Sequence, residues 1–171
     1  MVERNVLNIR MTPVNDSGLE KIKYLAYKIW PEVYIPIIGE KQVEFMLSER
    51  FNKASLQKAR KAGEEFYVLE IDSVAVGFLG LRQVEPEKIR IEKWYLTKEV
   101  RGKGLGKSSF LKVREIAGAR GVKKIELNVH RSNPAFHFYR TLGFQVSQEV
   151  DIPYFEFVLT DFVMEYNLDL A

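Results

Sequence analysis

The most informative segment of the chain runs from Trp94 to Phe144 and reads WYLTKEVRGKGLGKSSFLKVREIAGARGVKKIELNVHRSNPAFHFYRTLGF. The pattern of apolar residues predicts one strand from Ile89 to Thr97 and another from Lys123 to His130. Between these strands lie a glycine-rich loop and a run with apolar residues at helical spacing. Asn133 then begins a shorter helix, which Gly143 ends. The predicted order is strand, loop, helix, strand, helix.

The loop in this segment has the composition of a phosphate-binding site. Its glycines allow a tight turn and bring backbone N–H groups close to a ligand without obstruction by Cβ atoms. The helix begins at once, so its free N–H groups and the positive end of its dipole also favour an anion. The predicted ligand-binding run comprises Arg101, Gly102, Lys103, Gly104, Leu105, Gly106 and Lys107.

Two common phosphate motifs do not fit this loop. A P-loop would need a glycine where Arg101 stands, although Gly106, Lys107 and Ser108 match its end. The dinucleotide fingerprint fails because the third glycine comes one position early, and only one strand-helix-strand unit is visible.

The pattern that fits is Arg101, two residues, Gly104, one residue and Gly106 directly after a strand, followed by NPAFHFYRTLGF. This combination resembles the GNAT superfamily of acyl-CoA N-acyltransferases and covers residues 89–144. The resemblance implies that the loop holds the pyrophosphate of coenzyme A, with acetyl-CoA as co-substrate and no metal. The segment WPEVYIPIIGEKQVEFML further resembles the branch related to the polyamine-acetylating sporulation regulator.

The resemblance also assigns roles to individual residues. The Tyr139 hydroxyl is expected near the coenzyme sulfur, where it can protonate the departing thiolate; the alternative is an amphipathic Tyr with a buried ring and a solvated hydroxyl. Asn133 is expected to cap the following helix and to bond the pantetheine arm. Trp94, Tyr95 and Leu96 are expected to contribute main-chain groups, on a strand that bulges away from its neighbour and opens a wedge.

Glu92 is the first candidate for the general base that must deprotonate an amine. In a regular strand it shares a face with Trp94 and Leu96, and partial desolvation there would raise its pKa. The alternative is an exposed strand Glu paired with Arg90 or Lys93. His130 is a second candidate, for which a satisfied structural role is the competing interpretation.

The acceptor site in this fold is implied to lie between the first two helices and the last strands. There, acids can attract a cationic amine and aromatic rings can line its aliphatic part. The competing interpretation is that the acids are simply solvated and the aromatics belong to the core. The predicted acceptor residues are Glu32, Tyr34, Tyr154 and Asp161, with Glu40, Glu44, Phe45 and Glu156 as further candidates.

Composition limits the other possibilities. The 171 residues fit one domain, 1–171, which can bury a good core. The chain has no cysteine and two histidines, which argues against disulfides, a Cys nucleophile and a metal site. The net charge of +3 is small and concentrated near the loop, so a phosphate-rich coenzyme explains it without a nucleic-acid partner. No signal peptide or membrane span is visible, so a cytoplasmic location is expected.

The predicted fold is of the α/β (α+β) class. Its element order is a strand, two helices, three strands, a helix, a strand, a helix and two strands. The first helix is expected to begin at Asn15 or Asp16 and to stop near Trp30, where Pro31 interrupts it. This order predicts a central mixed, mostly antiparallel sheet with helices on both faces.

The predicted function is an N-acetyltransferase that binds acetyl-CoA and then a small-molecule amine. It transfers the acetyl group directly, since no Cys is present to form an acyl-enzyme. The rival interpretations are a non-catalytic acyl-CoA-binding regulator and a peptide or protein N-terminal acetyltransferase. The acceptor and the oligomeric state, a homodimer included, are left open.

Overall fold

The computed structural model describes residues 8–170, without the side chain of Leu170. A seven-stranded sheet crosses the molecule in the order β1-β2-β3-β4-β5-β7-β6. Its strands are β1 (Arg10–Pro13), β2 (Glu64–Ile71), β3 (Val74–Glu85), β4 (Lys88–Leu96), β5 (Lys124–His130), β6 (Gln145–Tyr154) and β7 (Phe157–Asn167). The α-helices are α1 (Leu19–Ile38), α2 (Glu40–Arg50), α3 (Lys53–Lys61), α4 (Leu105–Ala119) and α5 (Ala135–Leu142).

Neighbouring strands are antiparallel except for β4 and β5, which run parallel. A parallel pair needs a crossover connection, and α4 provides it. Tight turns join the antiparallel pairs that are consecutive in the chain from β2 to β4 and from β6 to β7; Asp72 and Ser73, both with positive φ, join β2 to β3. This mixed, mostly antiparallel sheet with helices on both faces confirms the predicted fold class.

Each face of the sheet has its own hydrophobic core. One core lies under α1, α2 and α3 and includes Trp30 and Phe51. The other lies under α4 and α5 and includes Phe110. Strand alternation supplies both cores, since Phe78 of β3 packs into the first and Leu79 into the second. Strand β4 therefore lies between two packed layers.

Helix α1 is longer than the sequence pattern predicts. The interruption expected at Pro31 is wrong, because the helix continues through Pro31 and Pro36 to Ile38. Each proline lacks one N–H donor, so only the carbonyls of Tyr27 and Glu32 lose a helical partner. Both residues are exposed, and water can satisfy their carbonyls. The burial of the apolar side of α1 outweighs this loss, and its last turns form one wall of the cleft described below.

No helix within residues 8–170 has both the length and the apolar character needed to cross a bilayer. Residues 1–7 and 171 lie outside the described part of the chain. The domain bounds 1–171, the cytoplasmic location and the homodimer stay predictions.

Candidate active site

A cleft of about 840 Å³ opens in the middle of the sheet. It passes from the glycine-rich loop, along the ends of β4 and β5, to the wall formed by α1. This volume is typical of a site for a cofactor or a small ligand. The predicted site residues that line it are Glu32, Tyr34, Glu92, Trp94, Tyr95, Leu96, Arg101, Gly102, Gly104, Gly106, Lys107, Asn133 and Tyr139. Lys103, Leu105, Tyr154 and Asp161 are not among the described residues that line it.

The cleft forms because β4 and β5 separate halfway along their length. Their pairing joins Lys88–Ile91 to Lys124–Leu127 and ends there. Strand β4 nevertheless continues to Leu96, held by β3, and β5 continues to His130, held by β7. The wedge predicted from the family resemblance is therefore confirmed, and main-chain groups of both strands face it.

A β-bulge in β4 starts the separation. Gly80 of β3 pairs with Lys93 and Leu81 pairs with Ile91, so Glu92 is an extra residue with no register partner on β3. The bulge bends β4 away from β5 at the position where their pairing ends. The bulge that the family resemblance implies is confirmed, and it lies two residues before Trp94.

The bulge reverses the predicted orientation of Glu92. Arg82 donates to Oε1 of Glu92 from Nε at 3.0 Å and from Nη2 at 2.8 Å. This ion pair lies on the α1–α3 side, where Tyr95 also packs, whereas Trp94 packs toward α4 and α5. The predicted face shared with Trp94 is wrong, because the extra residue shifts the alternation of β4 by one. Glu92 therefore pairs with Arg82, and not with Arg90 or Lys93 as the sequence analysis considered.

The glycine-rich loop ends at the start of α4 in a geometry that can bind an anion. Gly104 has φ of 80°, a left-handed conformation that favours glycine. Helix α4 begins at the next residue without a side-chain cap, so the N–H groups of its first turn have no intrahelical partner. These donors, the helix dipole and Lys107 all favour an anion here. Gly106 lets α5 approach, since a Cβ atom there would lie 2.7 Å from Cζ of Phe138.

Arg101 joins the loop to β4 and α1. Its Nε donates to the main-chain oxygen of Leu96 at 3.0 Å, and its Nη1 donates to Oε1 of Glu32 at 2.6 Å. The carboxylate of Glu32 is thus used to position the loop, although the sequence analysis assigns it to the acceptor. Lys107 lines the cleft without an ion-pair partner in the described residues. Leu105 contributes only its main chain, because its side chain is buried in the core.

Tyr139 on α5 packs against β4 beside the wedge. Its ring stacks on that of Trp94, with centroids 5.4 Å apart and planes at 25°. Trp94 is fixed in turn by its Nε1, which donates to Oγ of Ser109 at 3.0 Å. Burial raises the pKa of the Tyr139 hydroxyl, and Tyr34 raises it further. The phenol is therefore protonated at neutral pH, as a general acid must be.

Asn133 connects the end of β5 to the start of α5. Its Oδ1 accepts a hydrogen bond from the N–H of Ala135 at 2.9 Å, which confirms the predicted helix cap. The residue is only 8% exposed and lines the cleft. Because Nδ2 has no hydrogen-bond partner among residues 8–170, it is available to a ligand.

Two tyrosines meet at the α1 end of the cleft. The hydroxyls of Tyr34 and Tyr95 lie 3.0 Å apart, and the ring of Trp30 packs against both rings. Burial is the main reason that the pKa of Tyr34 is raised well above its ordinary value and that of Tyr95 to about 12. The side chain of Tyr95 thus belongs to the site, in addition to the main-chain groups that the sequence analysis assigns to it.

Asp161 and Tyr154 lie behind this tyrosine pair. Burial raises the pKa of the Asp161 carboxyl. Two contacts partly oppose this: Nδ2 of Asn128 donates to Oδ2 at 3.4 Å, and the charge of Arg50 lowers the pKa. The guanidinium of Arg50 stacks over the Tyr154 ring, 4.7 Å from its centroid. Asp161 and Arg50 both act on the pKa of Tyr34, so the acceptor residues predicted from the last strands lie near this end of the cleft.

His130 has partners for both ring nitrogens. Nδ1 accepts from the N–H of Ser132 at 3.0 Å, and Nε2 lies 3.1 Å from Oγ1 of Thr160. Since a main-chain N–H can only donate, Nδ1 is the unprotonated nitrogen and Nε2 carries the proton. These contacts favour the structural interpretation of His130. No group of side chains within residues 8–170 is arranged to hold a metal ion.

The model of the acetyltransferase (GNAT) family matches residues 26–144, a span that contains the loop, the wedge and the helices on either side. The chain belongs to this GNAT family. It is therefore an acetyltransferase by family, and the superfamily predicted from the loop is confirmed.

Solved GNAT structures extend the likeness over nearly the whole chain. A PaiA N-acetyltransferase from Thermoplasma acidophilum, in complex with coenzyme A, is 26% identical over 94% of this chain and 99% of its own, with a TM-score of 0.80. A GCN5-related N-acetyltransferase from Rhodopseudomonas palustris is 20% identical over 94% and 95%, with a TM-score of 0.78. Naa50 from Arabidopsis thaliana, in complex with a bisubstrate analogue, is 20% identical over 94% and 99%, with a TM-score of 0.68. The last two support the GNAT fold alone.

Three residues that position this GNAT site are missed by the sequence analysis. Arg82 is a single cation in the apolar strand β3, a pattern that indicates an acid on a neighbouring strand, and Glu92 is that acid. Ser109 is fully buried beneath Trp94, yet it reads as an ordinary helix residue. Arg50 at the end of α2 carries no sequence signal, since basic residues are common in a last turn.

Proposed function

We propose that this GNAT acetyltransferase transfers the acetyl group of acetyl-CoA directly to a primary amine. The observation that carries the proposal is the wedge between β4 and β5, which joins the anion site at the start of α4 to the half-buried phenol of Tyr139. The likeness to a PaiA N-acetyltransferase in complex with coenzyme A supports the choice of coenzyme.

The residues around the cleft fit coenzyme A in two places. The uncapped first turn of α4, Gly104 and Lys107 suit a diphosphate, because they combine main-chain donors with positive charge. The unpaired edge of β4 and the Nδ2 amide of Asn133 suit an extended chain with amide groups. When bound, the thioester supplies an activated acetyl group and a thiol leaving group.

Two side chains supply the proton transfers in this proposal. Glu92 takes a proton from the acceptor ammonium through Oε2, which has no partner within the described residues, while Arg82 holds Oε1. Tyr139, whose raised pKa keeps the phenol protonated, gives its proton to the leaving sulfur. The second proton that the nitrogen loses when the amide forms returns to the Tyr139 oxygen. The sequence contains no Cys, which agrees with attack by the amine itself rather than by an enzyme thiol.

The acceptor amine enters at the end of the cleft lined by Tyr34, near Tyr154 and Asp161. The resemblance of WPEVYIPIIGEKQVEFML to the polyamine-acetylating branch supports a small amine of the polyamine class as one candidate. However, Glu32 is paired with Arg101 and Glu156 with Lys41, so fewer free acids remain than the sequence suggests. We therefore propose a small primary amine with no requirement for several positive charges.

Calorimetry and product analysis test this function together. Titration of coenzyme A into the protein is expected to release heat with a one-to-one stoichiometry. Incubation with acetyl-CoA and a panel of polyamines, amino acids and peptide amino termini is expected to yield an acetylated small amine by mass spectrometry. No heat of binding and no acetylated product would contradict the proposal, whereas products only from peptides would favour an N-terminal acetyltransferase.

A further inference from the structure

A second cavity, of about 270 Å³, adjoins the cleft between α1, α3 and β4. Glu92, Lys93 and Tyr95 line both spaces, so the two are neighbours at the bulge. Trp30 and Arg50 line only the smaller one. A ligand bound at the acceptor end of the cleft therefore lies next to the smaller cavity.

The smaller cavity contains an unpaired buried donor. Trp30 is 4% exposed, and its Nε1 has no hydrogen-bond partner within residues 8–170. A buried N–H without an acceptor is unfavourable, and most such groups in folded proteins have a partner. Trp30 lines this cavity, so an acceptor atom on a ligand that reaches the edge of the indole would satisfy its N–H.

The cavity also contains one cation outside any ion pair of the described residues, on which the carboxylate of Asp161 acts only at longer range. Lys93 is paired with Glu64 at 2.7 Å, and Glu92 is paired with Arg82 at 2.8 Å. Arg50 has no ion-pair partner within the described residues, although the ring of Tyr154 holds its guanidinium in place. The lining therefore favours a ligand group with a single negative charge.

From these contacts we infer that the acceptor amine carries a carboxylate, which Arg50 and Trp30 bind in the smaller cavity. The inference rests on the proposed acetyl transfer to a small amine. A carboxylate matches the planar guanidinium and carries one charge, whereas a phosphate dianion would leave a charge unbalanced. The substrate class is then an amino acid, with its ammonium group near Glu92 and its carboxylate beside Arg50.

Matched pairs of acceptors test the inference by kinetics. Glycine, β-alanine, 4-aminobutanoate and L-lysine are each compared with the corresponding carboxamide, which lacks only the charge. For at least one pair, kcat/KM is expected to be about 10- to 100-fold higher for the acid, as for a charge-assisted hydrogen bond. Arg50→Gln is expected to remove this preference by raising KM for the acid, with KM for acetyl-CoA unchanged. Arg10→Gln, at an exposed arginine with no ion-pair partner among residues 8–170, serves as the control.

A binding measurement tests the same contact without turnover. The protein has two tryptophans, so a ¹H–¹⁵N spectrum shows two indole signals, and Trp30→Phe identifies one of them. We expect the preferred acid to shift the Trp30 signal and its carboxamide to leave that signal in place. The shift should be lost in Arg50→Gln, whose melting temperature shows whether the variant is folded.

The outcomes separate this inference from the proposed function. Acetylation of amines with no acid preference, or with a preference that persists in Arg50→Gln, would overturn the inference and leave the acetyltransferase proposal standing. An unmoved Trp30 signal with every acid would also overturn it. Absence of coenzyme binding and of any acetylated product would instead remove the proposed function.

Discussion

The ring of Trp94 stacks on two aromatic residues from different helices. Phe110 of α4 lies 6.0 Å away at 26°, and Tyr139 of α5 lies 5.4 Å away at 25°. The indole N–H is anchored to Ser109, so the ring has little freedom to rotate. The position of the proposed acid is therefore set by side-chain packing as well as by the backbone of α5.

Tyr139→Phe removes the hydroxyl and keeps the aromatic stack. We expect kcat to fall by about 100-fold or more, because general acid catalysis typically contributes that much. The dissociation constant for coenzyme A should change little, as measured by calorimetry. Tyr24→Phe, at a residue that is 69% exposed, is the matched control. An unchanged kcat in Tyr139→Phe would show that another group protonates the sulfur.

Glu92→Gln removes the proposed base and can still accept a hydrogen bond from Arg82. We expect kcat/KM at saturating acetyl-CoA to fall by about 100- to 10,000-fold, the range for a general base. Glu126→Gln is the control, since Glu126 is a strand carboxylate bonded to Arg90 at 2.8 Å and does not line the cleft. Equal effects in the two variants would mean that Glu92 only stabilises the strand.

For single residues, the sequence predicts unusual local backbone conformations. It does not predict which side chains pair when they are distant in the sequence. Gly104 is recognisable because a left-handed loop residue before a helix favours glycine. The pair of Arg101 with Glu32 joins residues 69 positions apart. Neighbouring residues in the sequence do not indicate such a contact, so the pairing of Glu32 with Arg101 is not predicted and its acceptor role stays a prediction.

Helix α4 depends on one backbone conformation at its start. Gly104→Ala forces a Cβ atom into the left-handed region, which costs about 1–2 kcal/mol of stability. We expect a lower free energy of unfolding in urea and weaker binding of coenzyme A by calorimetry. Gly118→Ala in the same helix meets no atom within 4 Å and should instead stabilise the protein by about 0.5–1 kcal/mol. Equal coenzyme affinity in both variants would contradict the assignment of the anion site.

At the element scale, tertiary packing overrides two local expectations. Pro31 predicts a helix end, yet the packing of α1 against the sheet preserves the helix up to Gly39. Regular alternation places Glu92 on the wrong face, because a bulge depends on the pairing of β4 with β3. The order of elements survives these errors, since it follows from strand and helix patterns that packing leaves intact.

The whole molecule contains several phenols that the fold keeps protonated. Burial raises the pKa of Tyr95 to about 12, above the value of about 10 for an unfolded chain. Between these values the unfolded chain loses a proton that the folded protein retains. The contribution of Tyr95 to the free energy of unfolding is therefore fully present below pH of about 10. It falls as the pH rises toward about 12, by about 1.4 kcal/mol per pH unit.

Urea unfolding at pH of about 9, 10 and 11 measures this effect. Tyr95→Phe should make the loss of unfolding free energy above pH of about 10 less steep than in the unmodified protein. Tyr24→Phe, at an exposed tyrosine, should leave the slope unchanged. A slope that is identical in all three proteins would show that Tyr95 does not contribute to alkaline instability.

Beyond Ile91 and Leu127, β4 and β5 are no longer paired, so the sheet has two unpaired strand edges in its interior. Amides on these edges that point toward the gap have no strand partner, so they should exchange with deuterium as readily as those at the outer edge of β6. An extended ligand arm that lies along β4 would act as a partial eighth strand. Its arrival should slow exchange on both sides of the gap and couple the two halves of the sheet, which are otherwise joined by only a short ladder.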